Sequence, residues 1–360
     1  MHVAMISPYP VAGIPPRGGV EVSTVRLIEG LTERGVLVDV ISTGMPPREA
    51  RDGIVVHRAP ARRLTTARLL LPWRADVRRI LASLHVDLVH GQGLMPPGVA
   101  ATDVPASRCP RVVTAHGNRR QDVLAAYSRV SRIGRSFLVD QLSAKAARRA
   151  DLVVGVHPDW HVNVPVEPRR YEFVPNIVEE VFFEADRRPR PARIVYCGGA
   201  NSIKGWELLA EAWPSLLEEV PSAQLVGTRF APGTPSDAHR IPGAEIRGWL
   251  TAEELCTEFE LADVVVMPSR FEVAPVLMTE AWAAGVPVVA AAVGGIPGMA
   301  TGAAVLVERE PPAFARAIAD VLLRRVDVDA LVREGRARAD ACRRDNVIGA
   351  YLRLYGDLVA

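Results

Sequence analysis

Short runs of β-branched and other apolar residues alternate with helical patterns along the chain, and this alternation restricts the fold more than any other feature. Strands that alternate with helices form βαβ units, because parallel neighbours must be joined by a long crossover. We therefore expect an α/β fold whose parallel sheets are covered by helices on both faces. In the first half, the predicted strands are His2–Ile6, Val36–Ser42, Ile54–His57, Val86–His90, Arg111–Ala115 and Leu152–Val156, and the predicted helices are Val20–Arg34 and Ser136–Arg149.

The alternation pauses at Glu184–Arg193, a stretch rich in proline and arginine, and then restarts. A chain of 360 residues is long enough for two domains. We place the first domain at 1–180, a linker at 181–192 and a second doubly wound domain at 193–344. In the second domain, the predicted strands are Arg193–Cys197, Ala223–Gly227, Glu245–Gly248, Val264–Pro268, Val286–Ala290 and Ala303–Val307, and the predicted helices are Trp206–Leu217, Ala252–Leu261, Val276–Ala284 and Pro312–Leu323.

Charge and cysteine content exclude several classes of protein. The 43 basic and 41 acidic side chains leave a net charge of +2, which is too small to select nucleic acid as a partner. The four cysteines form no CxxC pair, so we expect neither a zinc site nor disulfides, and a reducing cytoplasm fits them best.

The first residues resemble a strand and not a signal peptide. The sequence contains no apolar run of about 18 residues, so we expect no membrane span. The abundance of Arg, Ala, Gly and Pro is typical of GC-rich bacterial coding.

The segment Pro268–Gly295 has the residue types of a site for phosphate and sugar. A helix opens near Pro275, and its first N–H groups and positive dipole end favour phosphate. Glu272 and Glu280 stand eight residues apart around that helix start. A carboxylate beside a phosphate is repelled unless it binds a neutral group such as a sugar hydroxyl, so the segment predicts a phosphate flanked by two polyols. The alternative is an ordinary capped helix with both glutamates in solvent.

Two glycine-rich loops, each between a strand and a helix, favour an anionic ligand. Gly198-Gly199 precedes Lys204-Gly205, where glycine lets the backbone approach a ligand and lysine suits a phosphate. The alternative is a surface lysine beside a turn. Gly18-Gly19 forms a similar but weaker signal, and no later acidic residue stands where a dinucleotide fingerprint requires one.

Two histidines follow predicted strands, at the position where ligands of α/β sheets bind. His116 lies in TAHGN and His90 in DLVHGQG. A histidine there can donate to a sugar hydroxyl or stabilise developing charge. The alternative for each is a structural role.

In this order, the segments resemble the retaining glycosyltransferases of family 4, which have the GT-B fold. The matching text runs from residue 1 to about Tyr355 and comprises RGGVE, VTAHGN, PNIVEEVFF, GGANSIKG and PSRFEVAPVLMTEAWAAGVPVVAAAVGG. The last segment, with its two glutamates in an E-x7-E pattern, is the most specific. The resemblance implies two Rossmann-like domains facing an interdomain cleft, with the C-terminal helix 345–360 crossing back to complete the first domain.

The resemblance also implies a role for each matching residue. Glu280 would hold the ribose of a nucleotide, and Glu272 would hold hydroxyls of the donor sugar. Lys204 would bind the diphosphate together with main-chain N–H groups, and His116 would sit near the anomeric carbon. The remaining positions are Val276 and Leu277 for those N–H groups, Gly18 and Gly19 for close approach to the phosphate and acceptor, and Arg247, Gly248, Trp249 and Leu250 for the base.

The chain departs from the family pattern at three positions. The usual arginine of GRxxxxKG is Gly199, which removes one phosphate cation that Arg229 or Arg270 would have to replace. The usual glycine after the first glutamate is replaced around Ala274-Pro275, and proline lacks an N–H. The usual Asn-Gly before the linker is Asn176-Ile177.

Taken together, we expect transfer of a sugar from a UDP- or GDP-linked donor to an acceptor hydroxyl, with retention and without a metal or cofactor. The Asp327-Val-Asp329 string predicts a helix start and not a metal site. The alternatives are a non-catalytic nucleotide-sugar-binding module, a nicotinamide-dependent dehydrogenase and a hydrolysing nucleotide-sugar epimerase. The arginine-rich segment His57–Ile80 could in addition contact the inner face of an anionic membrane; otherwise it is an acceptor-side loop and surface helix.

Overall fold

A computed structural model of the protein describes all residues except 15, 17, 52, 61–66, 106, 118–128 and 232–240, and it leaves the side chains of 51, 67–71 and 129–136 undescribed. The chain forms two compact units. Unit 1 consists of Met1–Ile177 together with Asp345–Ala360, and unit 2 consists of Val178–Arg344.

Unit 1 is built on a sheet that has eight strands in the described residues, in the order β3-β4-β2-β1-β5-β6-β7-β8. The pairs are parallel except for β3 and β4, which are antiparallel. The strands are β1 His2–Ile6, β2 Leu37–Thr43, β3 Arg48–Arg51, β4 Ile54–Ala59, β5 Leu88–Gln92, β6 Arg111–Ala115, β7 Leu152–Gly155 and β8 Tyr171–Phe173.

Helices cover both faces of this sheet. Val3 and Met5 point to one face, where they join a buried cluster with Leu27 and Ile28. The alternate residues of the same strand point to the other face and join the cluster of Trp73. The helices of unit 1 are α1 Gly19–Glu33, α2 Ala67–Ala82, α3 Val99–Ala101, α4 Arg129–Arg149, α5 Trp160–Asn163 and, after unit 2, α13 Arg344–Val359, of which Arg344 itself belongs to unit 2.

Unit 2 is built on a second parallel sheet, which has six strands in the described part of the chain, in the order β11-β10-β9-β12-β13-β14. Its strands are β9 Arg193–Cys197, β10 Gln224–Thr228, β11 Glu245–Ile246, β12 Val264–Met267, β13 Val288–Ala291 and β14 Val305–Val307. Its helices are α6 Glu180–Phe183, α7 Trp206–Glu219, α8 Ala252–Leu261, α9 Val276–Ala283, α10 Ile296–Ala300, α11 Pro311–Leu322 and α12 Val328–Asp340.

Both faces of the second sheet are also buried. Ile194 and Tyr196 lie in a cluster with Leu209 of α7, whereas Val195 and Cys197 lie in a cluster on the other face. The prediction of an α/β fold with two parallel sheets, each covered on both sides, is confirmed, apart from the antiparallel edge pair of β3 and β4 in unit 1.

The predicted linker and the predicted helix start at Asp327 both form defined hydrogen bonds in unit 2. Residues 181–192 lie in unit 2, where Arg188 N donates to Glu260 O and Arg190 N donates to Leu261 O, both at 2.9 Å. The predicted helix start at Asp327 is confirmed, because its carboxylate accepts from Ala330 N at 2.9 Å as the N-cap of α12.

In each sheet, the direction in which successive strands are added reverses once. A crevice for a ligand is expected at that point. In unit 1 the reversal lies between β1 and β5, and in unit 2 between β9 and β12. Ligands of open α/β sheets bind outside the carboxyl ends of the strands at such a reversal. The loops that follow β9 and β12 are therefore the first place to look for a site in unit 2.

Candidate functional site

The loops that follow β9 and β12 are joined to each other at the strand-order reversal of unit 2. Arg270 N donates to Ile203 O at 2.7 Å, and Arg270 Nε donates to Ser202 O at 3.0 Å. Gly205, at φ +78°, packs so closely that a Cβ there would come well within 3.0 Å of Pro268 O. This contact accepts only glycine, so the two loops are held at a fixed spacing.

A cation and a carboxylate meet where these loops join. Lys204 Nζ lies 2.6 Å from Glu272 Oε1, and Ser269 Oγ donates to the same oxygen at 2.8 Å. The Lys204 side chain is 36% exposed and that of Glu272 is 10% exposed. The structure therefore brings together two residues that the sequence placed in separate motifs, and it leaves the ammonium group within reach of a ligand.

Helix α9 begins directly beside this pair. Its N-cap, Pro275, provides no side-chain hydrogen bond, so the first N–H groups, at Val276 and Leu277, have no side-chain acceptor from the cap. Such a helix start attracts an anion through its N–H groups and dipole.

Glu280 lies one turn inside α9 and is buried, with 4% of its surface exposed. Burial raises the pKa of the Cys197 thiol, at the end of β9, to about 11, and the charge of Glu280 contributes to this increase. The alternative in which both glutamates of the motif are solvated is wrong, since Glu280 is buried and Glu272 is paired.

A third loop, which follows β13, fixes the backbone of Glu272. Gly295 N donates to Glu272 O at 2.9 Å. Gly294, at φ +56°, has no room for a Cβ, which would come within 3.0 Å of the same carbonyl oxygen. Gly294 and Gly295, at the end of the E-x7-E segment, therefore fix the backbone of Glu272, the first glutamate of that segment.

Gly199 is a position where a side chain has no space. Its φ is +59°, and a Cβ would come within 3.0 Å of Arg229 O. Of the two arginines considered as substitutes for the family arginine, Arg270 is bound to Ser202 O, whereas Arg229 stacks on an aromatic ring. The Arg229 guanidinium lies 5.2 Å from the ring centroid of Trp249.

The segment predicted to line a base divides into two parts. Trp249 is 48% exposed, and Gly248 O accepts from Arg229 N at 2.8 Å. Arg247 instead pairs with Glu245 and Glu258, and Glu258 is also 2.8 Å from Arg193. The Arg247 guanidinium is therefore engaged in a partly buried ion-pair network that the sequence analysis missed, and Leu250 packs against the core of unit 2.

In unit 1, Gly18 and Gly19 open helix α1. Gly18 is the N-cap and offers no side-chain hydrogen bond. No described atom lies within 4 Å of a Cβ built on either glycine. The start of α1 therefore has space around it among the described residues. The two glycines themselves contribute no side chain that could bind a ligand.

His116 lies at the carboxyl end of β6 and is held from within the sheet. Its Nε2 donates to Gln92 Oε1 at 2.6 Å, and Gln92 Nε2 donates to His90 Nε2 at 3.3 Å. His90 Nδ1 is 2.6 Å from the hydroxyl of Tyr355 in α13. Because an amide oxygen only accepts, the contact with Gln92 assigns the proton of neutral His116 to Nε2.

His90 and His116 are both neutral at physiological pH. Burial lowers the pKa of His116 to about 4, and a hydrogen bond with Asn176 offsets only part of that effect. Burial and then His116 lower the pKa of His90 to about 3. His90 is fully buried and also contacts Thr114 Oγ1 at 2.7 Å, so it is a structural residue behind His116.

Sequence reasoning missed three residues of these regions. They are Ser269, Gln92 and Arg309, whose Nε donates to Pro268 O at 3.2 Å. Burial and then Arg270 lower the pKa of Arg309. Each lies at or directly after the carboxyl end of a parallel strand, and that position is the signal that could have found them.

The described residues contain no group of three or more His, Cys, Asp or Glu side chains able to hold a metal ion. Within the same residues, no helix combines the length and the apolar character needed to cross a bilayer. The predicted membrane contact depends on the apolar side chains of Leu69–Leu71 and Trp73. Those of Leu69–Leu71 lie outside the described residues, whereas Trp73 is buried in the core of unit 1 and does not face a membrane.

Family models match both units. The model described as Glycosyltransferase Family 4 matches residues 17–180, and the model described as Glycosyl transferases group 1 matches residues 191–324.

Relatives of known name are glycosyltransferases. A D-inositol 3-phosphate glycosyltransferase of Catenulispora acidiphila is 28% identical, with 81% of this chain and 78% of the relative covered. A putative teichuronic acid biosynthesis glycosyltransferase of Bacillus subtilis, TuaC, is 31% identical, with 70% of this chain and 66% of the relative covered.

Solved structures share the fold over almost the whole chain. Sucrose-phosphate synthase from Thermosynechococcus elongatus has a TM-score of 0.79 at 19% identity and covers 99% of this chain, with 98% of its own chain covered. HepE of Anabaena, solved in complex with UDP, has a TM-score of 0.72 at 14% identity, with 99% and 100% covered. The chain is therefore a glycosyltransferase of the GT-B fold, similar to the enzymes of family 4.

Proposed function

We propose that this enzyme moves a sugar from a UDP- or GDP-linked donor to an acceptor hydroxyl, with retention of anomeric configuration and without a metal ion. The observation that carries the proposal is the contact between Lys204 and Glu272, 2.6 Å apart, beside the uncapped start of α9. It puts a cation for a leaving diphosphate next to a carboxylate for sugar hydroxyls, at the strand-order reversal of unit 2.

The charge that develops on the diphosphate decides the roles in unit 2. Lys204 and the N–H groups of Val276 and Leu277 stabilise that charge as the bond to the sugar breaks. Glu272 orients the sugar through its hydroxyls. No side chain is assigned as a nucleophile, so the acceptor attacks from the face of the leaving group, whose phosphate takes the acceptor proton.

The nucleotide would be held farther from the reacting bond. Glu280 binds the ribose hydroxyls, and Gly199 allows the backbone to approach the phosphates. Trp249, with the main chain from Arg247 to Leu250, lines the base. In unit 1, His116 is proposed to act on the donor sugar, and Gly18 and Gly19 leave space for phosphate and acceptor. The complexes of HepE with UDP and with UDP-glucose support a nucleoside diphosphate donor of this class.

The test is incubation of the purified chain with a panel of UDP- and GDP-sugars, with and without added hydroxyl acceptors, followed by mass spectrometry of the released nucleotide. We expect release of UDP or GDP from the parent protein and a loss of at least about 100-fold in Glu280→Ala, since a buried carboxylate that binds two hydroxyls is removed. Glu218→Ala, at an exposed position of α7, is the control. Binding without release contradicts the proposal and favours a nucleotide-sugar-binding module.

The finer parts of the proposal have their own measurements. NMR of the product determines whether the anomeric configuration is retained. Transfer that EDTA abolishes and Mg²⁺ restores contradicts a metal-independent reaction. We also keep as predictions a cytoplasmic location and contact of the His57–Ile80 region with anionic membrane; failure to sediment with anionic liposomes at low salt contradicts that contact.

A further inference from the structure

Two donors share a single oxygen of Glu272. Lys204 Nζ lies 2.6 Å and Ser269 Oγ 2.8 Å from Glu272 Oε1, and no other described side chain donates to this carboxylate. The lysine side chain is flexible and 36% exposed, whereas Ser269 is only 2% exposed. The carboxylate is thus held by one exposed, exchangeable contact and one buried, fixed contact.

The ammonium group of Lys204 carries a single positive charge, which Glu272 and a bound diphosphate must share. The proposed function gives Lys204 to the diphosphate, so donor binding weakens the pairing of Glu272 with its cationic partner among the described residues. The carboxylate then lies near additional negative charge, and the repulsion favours rotation of its side chain away from the donor.

The backbone of Glu272 is already fixed against such a movement. Gly295 N donates to Glu272 O at 2.9 Å, and the loop at Gly294 packs against the same carbonyl. The remaining freedom is rotation of the Glu272 side chain, and the neutral hydroxyl of Ser269 is the group that opposes this rotation.

We propose that Ser269 is a positioning residue, which keeps Glu272 on the donor sugar while Lys204 exchanges the carboxylate for the diphosphate. This inference rests on the proposed function and extends it to the order of contacts. A free nucleoside diphosphate uses Lys204 and does not need Ser269, whereas the affinity added by the sugar depends on the contact between Ser269 and Glu272.

Calorimetric titration of the full chain tests this order of contacts, with UDP against UDP-glucose and GDP against GDP-mannose as probes. In Ser269→Ala we expect the Kd of the free nucleotide to stay within about two-fold. The affinity gained from the sugar should fall by about ten-fold or more, as for a lost hydrogen bond to a charged group. Ser269→Thr keeps the hydroxyl and should retain the gain, and Ser222→Ala, in an exposed turn of unit 2, should change neither Kd.

A double-mutant cycle with Glu272→Gln separates positioning from general damage to the loop. In the Glu272→Gln background, Ser269→Ala should change the sugar-dependent gain by less than about two-fold. A ten-fold loss in that background, or an equal loss for the free and the sugar-linked nucleotide, overturns the role of Ser269. An unaltered Ser269→Ala protein also overturns it, while leaving the proposed function intact if the parent still prefers the sugar-linked nucleotide. A parent that binds none of the four probes refutes the proposed function, and the inference with it.

Discussion

Gly205 and Gly302 have nearly the same backbone conformation but different surroundings, so they form a matched pair for a stability experiment. Their φ angles are +78° and +83°, both in the left-handed region. A Cβ at Gly302 would meet no described atom within 4 Å, whereas one at Gly205 would overlap Pro268 O. Both lie in unit 2. Alanine at either position costs about 1–2 kcal/mol for the left-handed conformation alone.

The steric term should appear only in Gly205→Ala. Relief of the overlap requires movement of the Pro268 carbonyl, which also accepts from Arg309, and forced repacking of this kind costs about 1–3 kcal/mol more. For a unit of this size that difference corresponds to a Tm about 2–12 °C lower than in Gly302→Ala. Because Lys204 precedes Gly205 directly, UDP affinity should also fall in Gly205→Ala alone.

Thermal unfolding followed by circular dichroism, with UDP titration of each variant, measures both effects. Equal Tm values for the two variants would show that the loops after β9 and β12 are not held at a fixed spacing. An unchanged UDP affinity in a destabilised Gly205→Ala protein would show that the packing of Gly205 against Pro268 does not position Lys204 for the diphosphate.

Further predictions follow from the same contacts. Gly199→Arg, which restores the arginine of the family pattern, should lower UDP affinity, because a Cβ there overlaps Arg229 O at φ +59°. Gln92→Glu places a carboxylate 2.6 Å from His116 Nε2 and raises the pKa of His116, so the acid limb of the kcat/KM profile should move to higher pH, whereas Gln92→Leu should not move it so. The pKa values of His90 and His116, about 3 and 4, lie below the unfolded value of 6.5, so the unfolded chain binds more protons. The free energy of unfolding of unit 1 should therefore fall as pH drops from 6.5 toward 4, by up to about 2.7 kcal/mol per pH unit for two protons, and His116→Asn should halve that slope in urea titrations. Glu258→Gln removes the buried carboxylate that lies 2.8 Å from Arg193 and leaves this arginine only the more distant Glu245, at 3.6 Å, so it should cost about 3–5 kcal/mol in thermal or chemical unfolding.

The architecture could be predicted from the sequence because buried parallel strands are continuous apolar runs. Two edge strands do not have such apolar runs and were not predicted. Arg48–Arg51 is polar and Tyr171–Phe173 is three residues long. Among the described strands, the first pairs only with β4 and the second only with β7. Such strands are specified by the neighbour that offers them hydrogen bonds, and no local pattern records that neighbour.

The residues of the candidate site could be selected from motifs, but their partners could not. Glu272 and Lys204 come from loops 68 positions apart, and only the strand order of the sheet places them in contact. Arg247 resembled a residue at a strand end that faces a ligand, yet it pairs with Glu245 and with Glu258 on a helix, and Glu258 also pairs with Arg193 on another strand. Tertiary partners of charged side chains are set by topology, which the spacing of residues within one motif does not contain.

The connectivity of unit 1 affects how the nascent chain can acquire its structure. Helix α13 is synthesised after all of unit 2, yet Tyr355 within it contacts His90 at 2.6 Å in the interior of the first sheet. While the ribosome is still making residues 178–344, the β5 histidine lacks this phenolic partner, and the apolar residues that α13 covers face water or a chaperone. Unit 2 is one continuous stretch and can complete its fold during translation, whereas unit 1 begins first and finishes last.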